Sequence, residues 1–287
     1  MRTSKGHGLS AGSKPYAGII LLVFFLLTYF PVWKSLVSTW LNSDEYSHGF
    51  FIIPICAYIV WQKRKVLVGI PFNTSWKGLI LVIFSLFVYL FAYYGEILTL
   101  ASFSLVLMFC AVVIFLYGLR MFKELFFPLA FLLFMIPLPS QIYSQLTIPL
   151  QLFVTKVSVW FTANLGIPIY REGNVIHLPD RTMQVVQACS GLRSMLSILP
   201  LGAILSYFTL KSNPLRWILF VLGVPTAIVV NIVRVVLLVM AFYYFNFDLT
   251  TGTTHTIFGI FVFILALIFL FAIRGILSRW DLPYTAK

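Results

Sequence analysis

Charge is scarce in this sequence, and acidic charge is the scarcest. Only 10% of the 287 residues are charged, with 8 Asp and Glu against 20 Lys and Arg, whereas about a quarter of a soluble domain is charged. Cysteine is rare as well: three cysteines lie far apart, without a CxxC pair or a Cys/His cluster. The sequence therefore excludes an ordinary soluble domain, and it gives no support to a zinc site or a dithiol redox pair.

Apolar residues are abundant instead, at 61% of the chain with a mean hydropathy of +0.99. Apolar runs of roughly 20 residues are long enough, as helices, to cross a hydrocarbon core of ~30 Å. The first run, residues 17–33, lacks the small-residue cleavage site of a signal peptide and is followed by other runs, so we expect it to be retained. The sequence predicts an all-α polytopic membrane protein.

We predict about eight transmembrane helices and, between the fifth and the sixth of them, one further helix-like segment. Residues 141–165 form a helix-like segment, interrupted by Pro149, that either crosses the membrane or lies along its surface. Residues 1–14 are Gly/Ser-rich and basic, which predicts a disordered cytoplasmic tail, and 15–287 are predicted to be one integral-membrane domain. The predicted spans are 17–37, 49–62, 78–94, 97–119, 125–138, 189–208, 217–244 and 254–273.

Basic residues decide the predicted orientation. If the N-terminus is cytoplasmic and 141–165 does not cross, most Lys and Arg lie inside, as membrane proteins prefer, and most acids lie outside. A crossing there would leave Lys211, Arg216 and the basic C-terminus outside. We therefore place 141–165 on the outer face, interfacial or re-entrant. The same distribution, small basic groups between apolar runs, is typical of membrane orientation and not of nucleic-acid binding.

A short segment before Cys189 has a different pattern. Turn signals at 172–174 and 179–180 separate runs of β-branched and aliphatic residues at 167–170, 175–178 and 183–186. These alternations predict a small extracytoplasmic β-hairpin or three-stranded element that leads directly into Cys189.

The predicted topology brings three chemically active side chains to one side. Cys189 begins the sixth span from outside, and His255 lies at the outer start of the eighth. Arg234 lies in the seventh span ten residues before its end at Tyr244, which is ~15 Å below that end and nominally near mid-depth. A thiol, an imidazole and a guanidinium can therefore converge near the outer face.

Each of these residue types has a chemical reason to be there. A helix N-terminus and the nearby Arg193 would lower the pKa of the Cys189 thiol from about 8.5 and make it nucleophilic. His255 can take the thiol proton and later protonate a leaving amine. Arg234 can stabilise an oxyanion with two forked hydrogen bonds, and an arginine inside a hydrophobic helix, unfavourable by ~3 kcal/mol, is functional by default.

Three further residues are candidate substrate-binding groups, each with a simpler alternative. Arg193 binds substrate, orients the nucleophile or reaches the membrane interface. Asn231, one turn from Arg234, supports the guanidinium or packs its polar side inward. His48 lies in an acidic loop, where it contacts substrate, transfers a proton or only caps the second span.

The motifs around these residues resemble those of the exosortase/archaeosortase family. Ala-Cys-Ser-Gly-Leu-Arg at 188–193 is similar to the family's cysteine block. Val-Pro-Thr at 224–226 with Asn-Ile-Val-Arg at 231–234, and then Thr-His at 254–255, are similar to its arginine and histidine blocks in the same order. Tyr-Ser-His-Gly-Phe at 46–50 is similar to an N-terminal exosortase pattern. The histidine in the third block resembles the bacterial form.

The resemblance implies a cysteine transpeptidase of the bacterial inner membrane with its active site facing the periplasm. Its substrates would be secreted proteins with a C-terminal sorting signal: a short motif such as Pro-Glu-Pro, a transmembrane helix and a basic tail. Cys189 would form a thioester, with His255 as acid/base and Arg234 as oxyanion or carbonyl stabiliser. A lipid or glycan amine or hydroxyl would accept the acyl group. The sequence itself indicates no metal or organic cofactor and no nucleic-acid partner.

Three other functions are compatible with parts of the pattern. A transporter or lipid-handling protein would use Arg193 and Arg234 to bind an anionic group, which leaves Cys189 without a role. A thiol redox enzyme needs a partner cysteine, and Cys56 and Cys110 are both predicted inside spans. A non-catalytic assembly subunit of an exopolysaccharide system is the third. Replacement of Cys189 with alanine separates the transpeptidase from the transporter and from the assembly subunit.

Overall fold

The computed structural model describes residues 23–71, 73–179, 181–184, 191–247, 249 and 252–281. The described chain is mostly helical and carries one small three-stranded sheet. Six of its helices are long and apolar enough to cross a membrane. The prediction of a polytopic helical protein with a small β element is confirmed, whereas the predicted count of about eight spans is not.

The described elements are numbered here in chain order. The helices are α1 (Phe30–Asn42), α2 (Gly49–Gln62), α3 (Arg64–Val68), α4 (Trp76–Tyr94), α5 (Leu98–Phe131), α6 (Ser140–Asn164), α7 (Leu192–Thr209), α8 (Asn213–Phe245) and α9 (Gly252–Ser278). A 3-10 turn, Leu132–Met135, continues α5. The strands are β1 (Tyr170–Glu172), β2 (Val175–His177) and β3 (Thr182–Gln184).

The count differs from eight for identifiable reasons. The first predicted span begins among residues outside the described ones, and α2, with 14 residues, is too short to count. The predicted spans 97–119 and 125–138 are joined in α5. Gly118 nevertheless breaks the helical path there, with φ 79° and ψ 179°, a conformation that only glycine adopts readily. The predicted span boundary at 119 thus lies next to a kink in α5.

The segment 141–165, whose depth the sequence left open, is the helix α6. It continues through Pro149, and its 25 residues rise about 37 Å, enough to cross a membrane. Its polar residues share a buried face, and three threonines donate hydrogen bonds to the carbonyl one turn back, which explains how a span-length helix can have modest hydropathy. The buried polar residues are Thr147, Gln151, Thr155, Ser158 and Thr162. The interfacial placement of α6 stays a prediction.

The chain divides into two compact units, and the candidate site residues all belong to the second. The first unit is Met1–Ser43 with Ile53–Ile136, and the second is Asp44–Ile52 with Pro137–Lys287. The assignment of 15–287 to one domain stays a prediction, and residues 1–14 lie outside the described residues.

The first unit is built on a close pair of helices, α4 and α5. A Cβ on Gly78 would lie 2.3 Å from the backbone nitrogen of Phe115, so only glycine allows this approach. Where the helices run together, Ser85 Oγ donates a hydrogen bond to the carbonyl of Ser104 at 2.8 Å. This unit therefore packs by backbone proximity and buried hydroxyls, as membrane helices commonly do.

The second unit contains an antiparallel hairpin of α7 and α8, against which α9 packs. Buried aliphatic residues from all three helices form its core, among them Ile198, Leu219, Ala227 and Val262. At the closed end of the hairpin, Asp281 accepts hydrogen bonds from the backbone N–H groups of Lys211 and Ser212. These bonds, that of Lys211 first, hold the pKa of Asp281 below its ordinary value.

The sheet lies against α6 and the later part of α8. Its strands are antiparallel in the order β1-β2-β3, so the predicted three-stranded element is confirmed. Strand β1 starts later than the first predicted run because Ile167 is drawn into the core, where it clusters with Ile176 of β2, Val154 of α6 and Val235 of α8. This cluster fixes the sheet a few residues before the segment that contains Cys189.

Candidate active site

Asn231 and Arg234 lie one turn apart on α8, and both are buried. Helix α7 has 18 residues and rises about 27 Å, which equals the rise of α8 from its start to Asn231. Because the two helices form a hairpin, the start of α7 comes back beside Asn231. A Cβ on Gly191, the residue before α7, would lie 3.0 Å from Asn231 Nδ2.

This geometry places Arg234 relative to the neighbouring helices, whereas its depth in a membrane stays a prediction. Counting back from the end of α8 suggested mid-depth, but α8 extends well beyond the start of α7, and this extension packs against α6 and the sheet. Counted from its beginning, α8 reaches Arg234 after about 31 Å, roughly the thickness of a hydrocarbon core. Arg234 therefore lies near the end of the three-helix bundle and not in its middle.

His255, in the first turn of α9, meets Arg234 at this end of the bundle. Its Nε2 lies 3.2 Å from Arg234 Nη2, and its Nδ1 lies 3.0 Å from the carbonyl oxygen of Leu249. A carbonyl oxygen only accepts, so Nδ1 carries the hydrogen and donates to Leu249. In the neutral imidazole Nε2 is then the acceptor, and the guanidinium of Arg234 donates to it.

This arrangement has a chemical consequence for both side chains. The basic nitrogen of His255 is held in a known direction, with its other nitrogen fixed by the backbone, as in catalytic histidines that need one tautomer. A neutral imidazole does not cancel the charge of Arg234, so the cation is retained at the site. For His255 to act as a base toward a thiol, Nε2 must exchange its bond with Arg234 for one with the thiol.

Cys189, the predicted nucleophile, lies outside the described residues. The described helix α7 begins at Leu192, three residues later than the predicted span, and Gly191 precedes it with φ 84°. The structure thus brings Arg234 and His255 into contact, with Asn231 one turn from Arg234 on α8, and it places Gly191 against Asn231.

Arg193 lies at the start of α7, where two acidic residues surround its guanidinium. Its Nη2 lies 3.3 Å from Glu45 Oε1, and its Nη1 lies 3.8 Å from Asp44 Oδ2. Glu45 also accepts a hydrogen bond of 2.9 Å from the hydroxyl of Tyr143 on α6. The start of α7, the loop before α2 and the first turn of α6 therefore meet at one polar cluster.

His48 belongs to that same loop. Its ring lies near Tyr46, with centroids 6.4 Å apart, and Tyr46 anchors the loop by accepting a hydrogen bond from the backbone N–H of Leu138. Burial raises the pKa of Tyr46, so its hydroxyl stays neutral. The assignment of His48, together with Arg193 and Asn231, to a substrate path stays a prediction.

Two residues of this cluster were not among the sequence-based site candidates. Glu45 directly precedes the Tyr-Ser-His-Gly-Phe pattern at 46–50, which was a usable signal, whereas nothing in the sequence around Tyr143 pointed to it. Within the described part of the chain, no three His, Cys, Asp or Glu residues lie close enough together to hold a metal ion.

Gly191 provides a sharp test of the packing between α7 and α8. Substitution of Gly191 with alanine forces φ 84° on a non-glycine residue and drives a methyl group into the Asn231 side chain. We expect the cleavage activity that the family resemblance implies to fall about a hundredfold, as displacement of reacting groups by about 1 Å does. The measurement is the rate of substrate processing by the purified protein in membranes.

Gly166→Ala is the matched control for this substitution. Gly166 has nearly the same backbone angle, φ 85°, but nothing within 4 Å of an added Cβ. If backbone strain were the only effect, it would lower the processing rates of both variants equally. Equal losses would therefore show that the contact with Asn231 has no special importance.

Comparison with known proteins gives one match. The family model described as transmembrane exosortase matches residues 40–272 of this chain, which includes parts of both units and every candidate site residue. No curated protein and no solved structure matches it.

Proposed function

This chain belongs to the transmembrane exosortase family, and on that premise we propose that it is a membrane-embedded cysteine transpeptidase. Family membership indicates a multi-pass membrane protein involved in the processing of sorting signals. The proposed substrates are secreted proteins that end in a short motif, a transmembrane helix and a basic tail. The proposed reaction cleaves that signal and passes the remaining protein to an acceptor.

The hydrogen-bonded pair of Arg234 and His255, with Gly191 against Asn231 one turn away on α8, carries the proposal. Cys189 precedes Gly191 by two residues, which limits the separation of their Cα atoms to about 7 Å. Cys189 is thus two residues along the chain from the helix end at which an oriented imidazole and a buried guanidinium lie. These two groups are the partners that the thiol of a peptidase needs. A transporter that binds anions has no use for this tethered cysteine.

The first half of the proposed reaction forms the acyl-enzyme. The Cys189 thiol gives its proton to Nε2 of His255, and the thiolate attacks a backbone carbonyl carbon of the sorting motif. The carbonyl oxygen becomes an oxyanion that Arg234 stabilises by donating hydrogen bonds. The C–N bond then breaks, the His255 proton goes to the leaving amine, and the C-terminal helix departs while the protein is held as a thioester.

The second half returns the enzyme to its starting state. An amine or hydroxyl of an acceptor loses its proton to His255 and attacks the thioester carbonyl, and the Cys189 thiolate leaves and is reprotonated by His255. Water in place of the acceptor would give hydrolysis. Because the Nδ1–H of His255 donates to Leu249, the same Nε2 serves both halves without a change of tautomer.

The orientation of the substrate supports a site at the outer face. A substrate helix with a basic tail inserts with the tail on the cytoplasmic side, and its cleavage motif then lies at the opposite surface. We propose that the bundle end with Arg234 and His255 faces the periplasm. The closed end of the hairpin, with Lys211 and Arg216, would face the cytoplasm, as the distribution of basic residues predicts.

Co-expression with a candidate substrate tests the function itself. A secreted protein with motif, helix and basic tail should lose its C-terminal helix in cells that contain this protein, and intact-mass spectrometry should show that loss together with the mass of an acceptor or of water. The control substrate keeps the helix and tail but has a scrambled motif. A motif-bearing substrate that keeps its full mass would contradict the proposal.

A further inference from the structure

Glu45 is the most enclosed acid of the polar cluster at the start of α7. Its side chain is only 19% exposed, whereas that of Asp44, the next residue, is 91% exposed. Glu45 accepts hydrogen bonds from both Arg193 and Tyr143 through one oxygen, Oε1. A largely buried carboxylate needs such partners to remain charged, so these contacts form a specific arrangement and not a chance surface ion pair.

The position of Arg193 on α7 explains what the arrangement is for. Arg193 is the second residue of α7, where a positive charge interacts unfavourably with the N-terminus of the helix dipole. A neighbouring carboxylate offsets this interaction. Glu45 therefore holds a side chain that would otherwise weaken the start of α7, two residues from Gly191 and four from Cys189.

The pair also connects parts of the second unit that are far apart in sequence. Glu45 lies in the loop before α2, Arg193 on α7 and Tyr143 on α6. Tyr46 adds a further connection, because its hydroxyl accepts a hydrogen bond from the backbone N–H of Leu138, which precedes α6. Loss of the Glu45 carboxylate would release three elements from one another where the chain approaches the site.

We propose that Glu45 is a positioning residue that, through its ion pair with Arg193, fixes the start of α7 with Gly191 against Asn231, two residues along the chain from Cys189. This inference rests on the proposed function for its meaning in catalysis. It also gives Arg193 a defined role: Arg193 acts through Glu45 and does not bind the substrate directly. Tyr143 supports the same carboxylate from α6.

Exchange of the two charges tests this role. Glu45→Gln and Arg193→Glu should each lower the rate of substrate processing about tenfold to a hundredfold, as small displacements of reacting groups do. In the double variant Glu45→Arg/Arg193→Glu, the logarithm of the processing rate should recover by at least about a third of the decrease seen in the single variants. The ion pair is then restored with its charges exchanged, and a glutamate suits a helix N-terminus. If Arg193 contacted substrate directly, the exchange would restore nothing.

Asp44→Asn is the matched control because Asp44 contacts the same guanidinium but is exposed to solvent. Exposed ion pairs contribute little, so this variant should keep a processing rate within about twofold of the unaltered protein. Tyr143→Phe removes one hydrogen bond and should give a loss between those of Asp44→Asn and Glu45→Gln. If Glu45→Gln does not yield folded protein, Tyr143→Phe takes its place as the test variant. Equal rates for Asp44→Asn and Glu45→Gln would overturn the proposal.

A second readout separates this inference from the proposed function. In a Cys56→Ala/Cys110→Ala background Cys189 is the single thiol, and its rate of alkylation by a small iodoacetamide reagent reports its surroundings without any substrate. Glu45→Gln should change that rate severalfold, whereas Asp44→Asn should not. An altered rate without any substrate processing would support the positioning role and contradict the transpeptidase. An unaltered rate in Glu45→Gln would overturn the positioning role even if processing by the unaltered protein is observed.

Discussion

Replacing Cys189 with alanine should abolish removal of the C-terminal sorting signal, with a loss of about four orders of magnitude or more in turnover. The reason is that the proposed thioester intermediate forms on the Cys189 thiol, which alanine lacks. Arg234 and His255 would still bind and polarise the substrate carbonyl, which gives at most a small residual rate. Processing of a co-expressed substrate, followed by intact mass, measures the loss.

Cys56→Ala and Cys110→Ala are the controls, and both should process substrate normally. Both thiols are free, and Cys56 is buried, with its Sγ donating to the carbonyl of Pro128 inside the first unit. A redox enzyme would need one of them as a partner of Cys189 and would fail in its absence. Normal processing by the Cys189→Ala protein would contradict the assignment of Cys189 as the nucleophile.

Replacing Arg234 with alanine should lower the processing rate about a hundredfold to a thousandfold, the usual effect of removing an oxyanion donor. The substitution also removes the donor that faces His255 Nε2. Arg234→Lys keeps the charge but loses the planar fork, so it should recover only part of the rate. Initial rates with a synthetic sorting-signal peptide in detergent or vesicles provide the measurement.

Arg274→Ala is the control for the general effect of removing an arginine from a membrane helix. Arg274 lies on α9, the helix that also carries His255, but close to its other end. The control variant should keep its rate within about threefold if the effect at Arg234 is catalytic. Similar losses in the two variants would mean that Arg234 stabilises the fold and has no part in the reaction.

Much of the fold follows from local sequence patterns. Apolar runs predicted the helices, and turn signals around Gly173 and Pro179 predicted the three strands. The kink at Gly118 appeared in the sequence as a boundary between two spans. Helix α6 was harder to place, because its buried polar face lowers its hydropathy even though its length suits a span.

The candidate site was predictable in outline because topology alone brings certain helix ends together. His255 and Arg234 were expected on one side, and they are in hydrogen-bond contact. The level of Arg234 was not predictable, since it depends on where α7 and α9 begin relative to α8. The pairing of Glu45 with Arg193 was hidden for a similar reason: 148 residues separate them in the chain, and no local pattern joins them.

The most direct test of the central claim is the intact mass of the protein during turnover. Purified protein mixed with a sorting-signal substrate and no acceptor should gain the mass of the substrate's N-terminal part, mapped by peptide analysis to Cys189 and released by hydroxylamine, as a thioester is. The Cys189→Ala protein should gain nothing. Cleavage of the substrate without any adduct on Cys189, or with the same adduct on another residue, would contradict the mechanism.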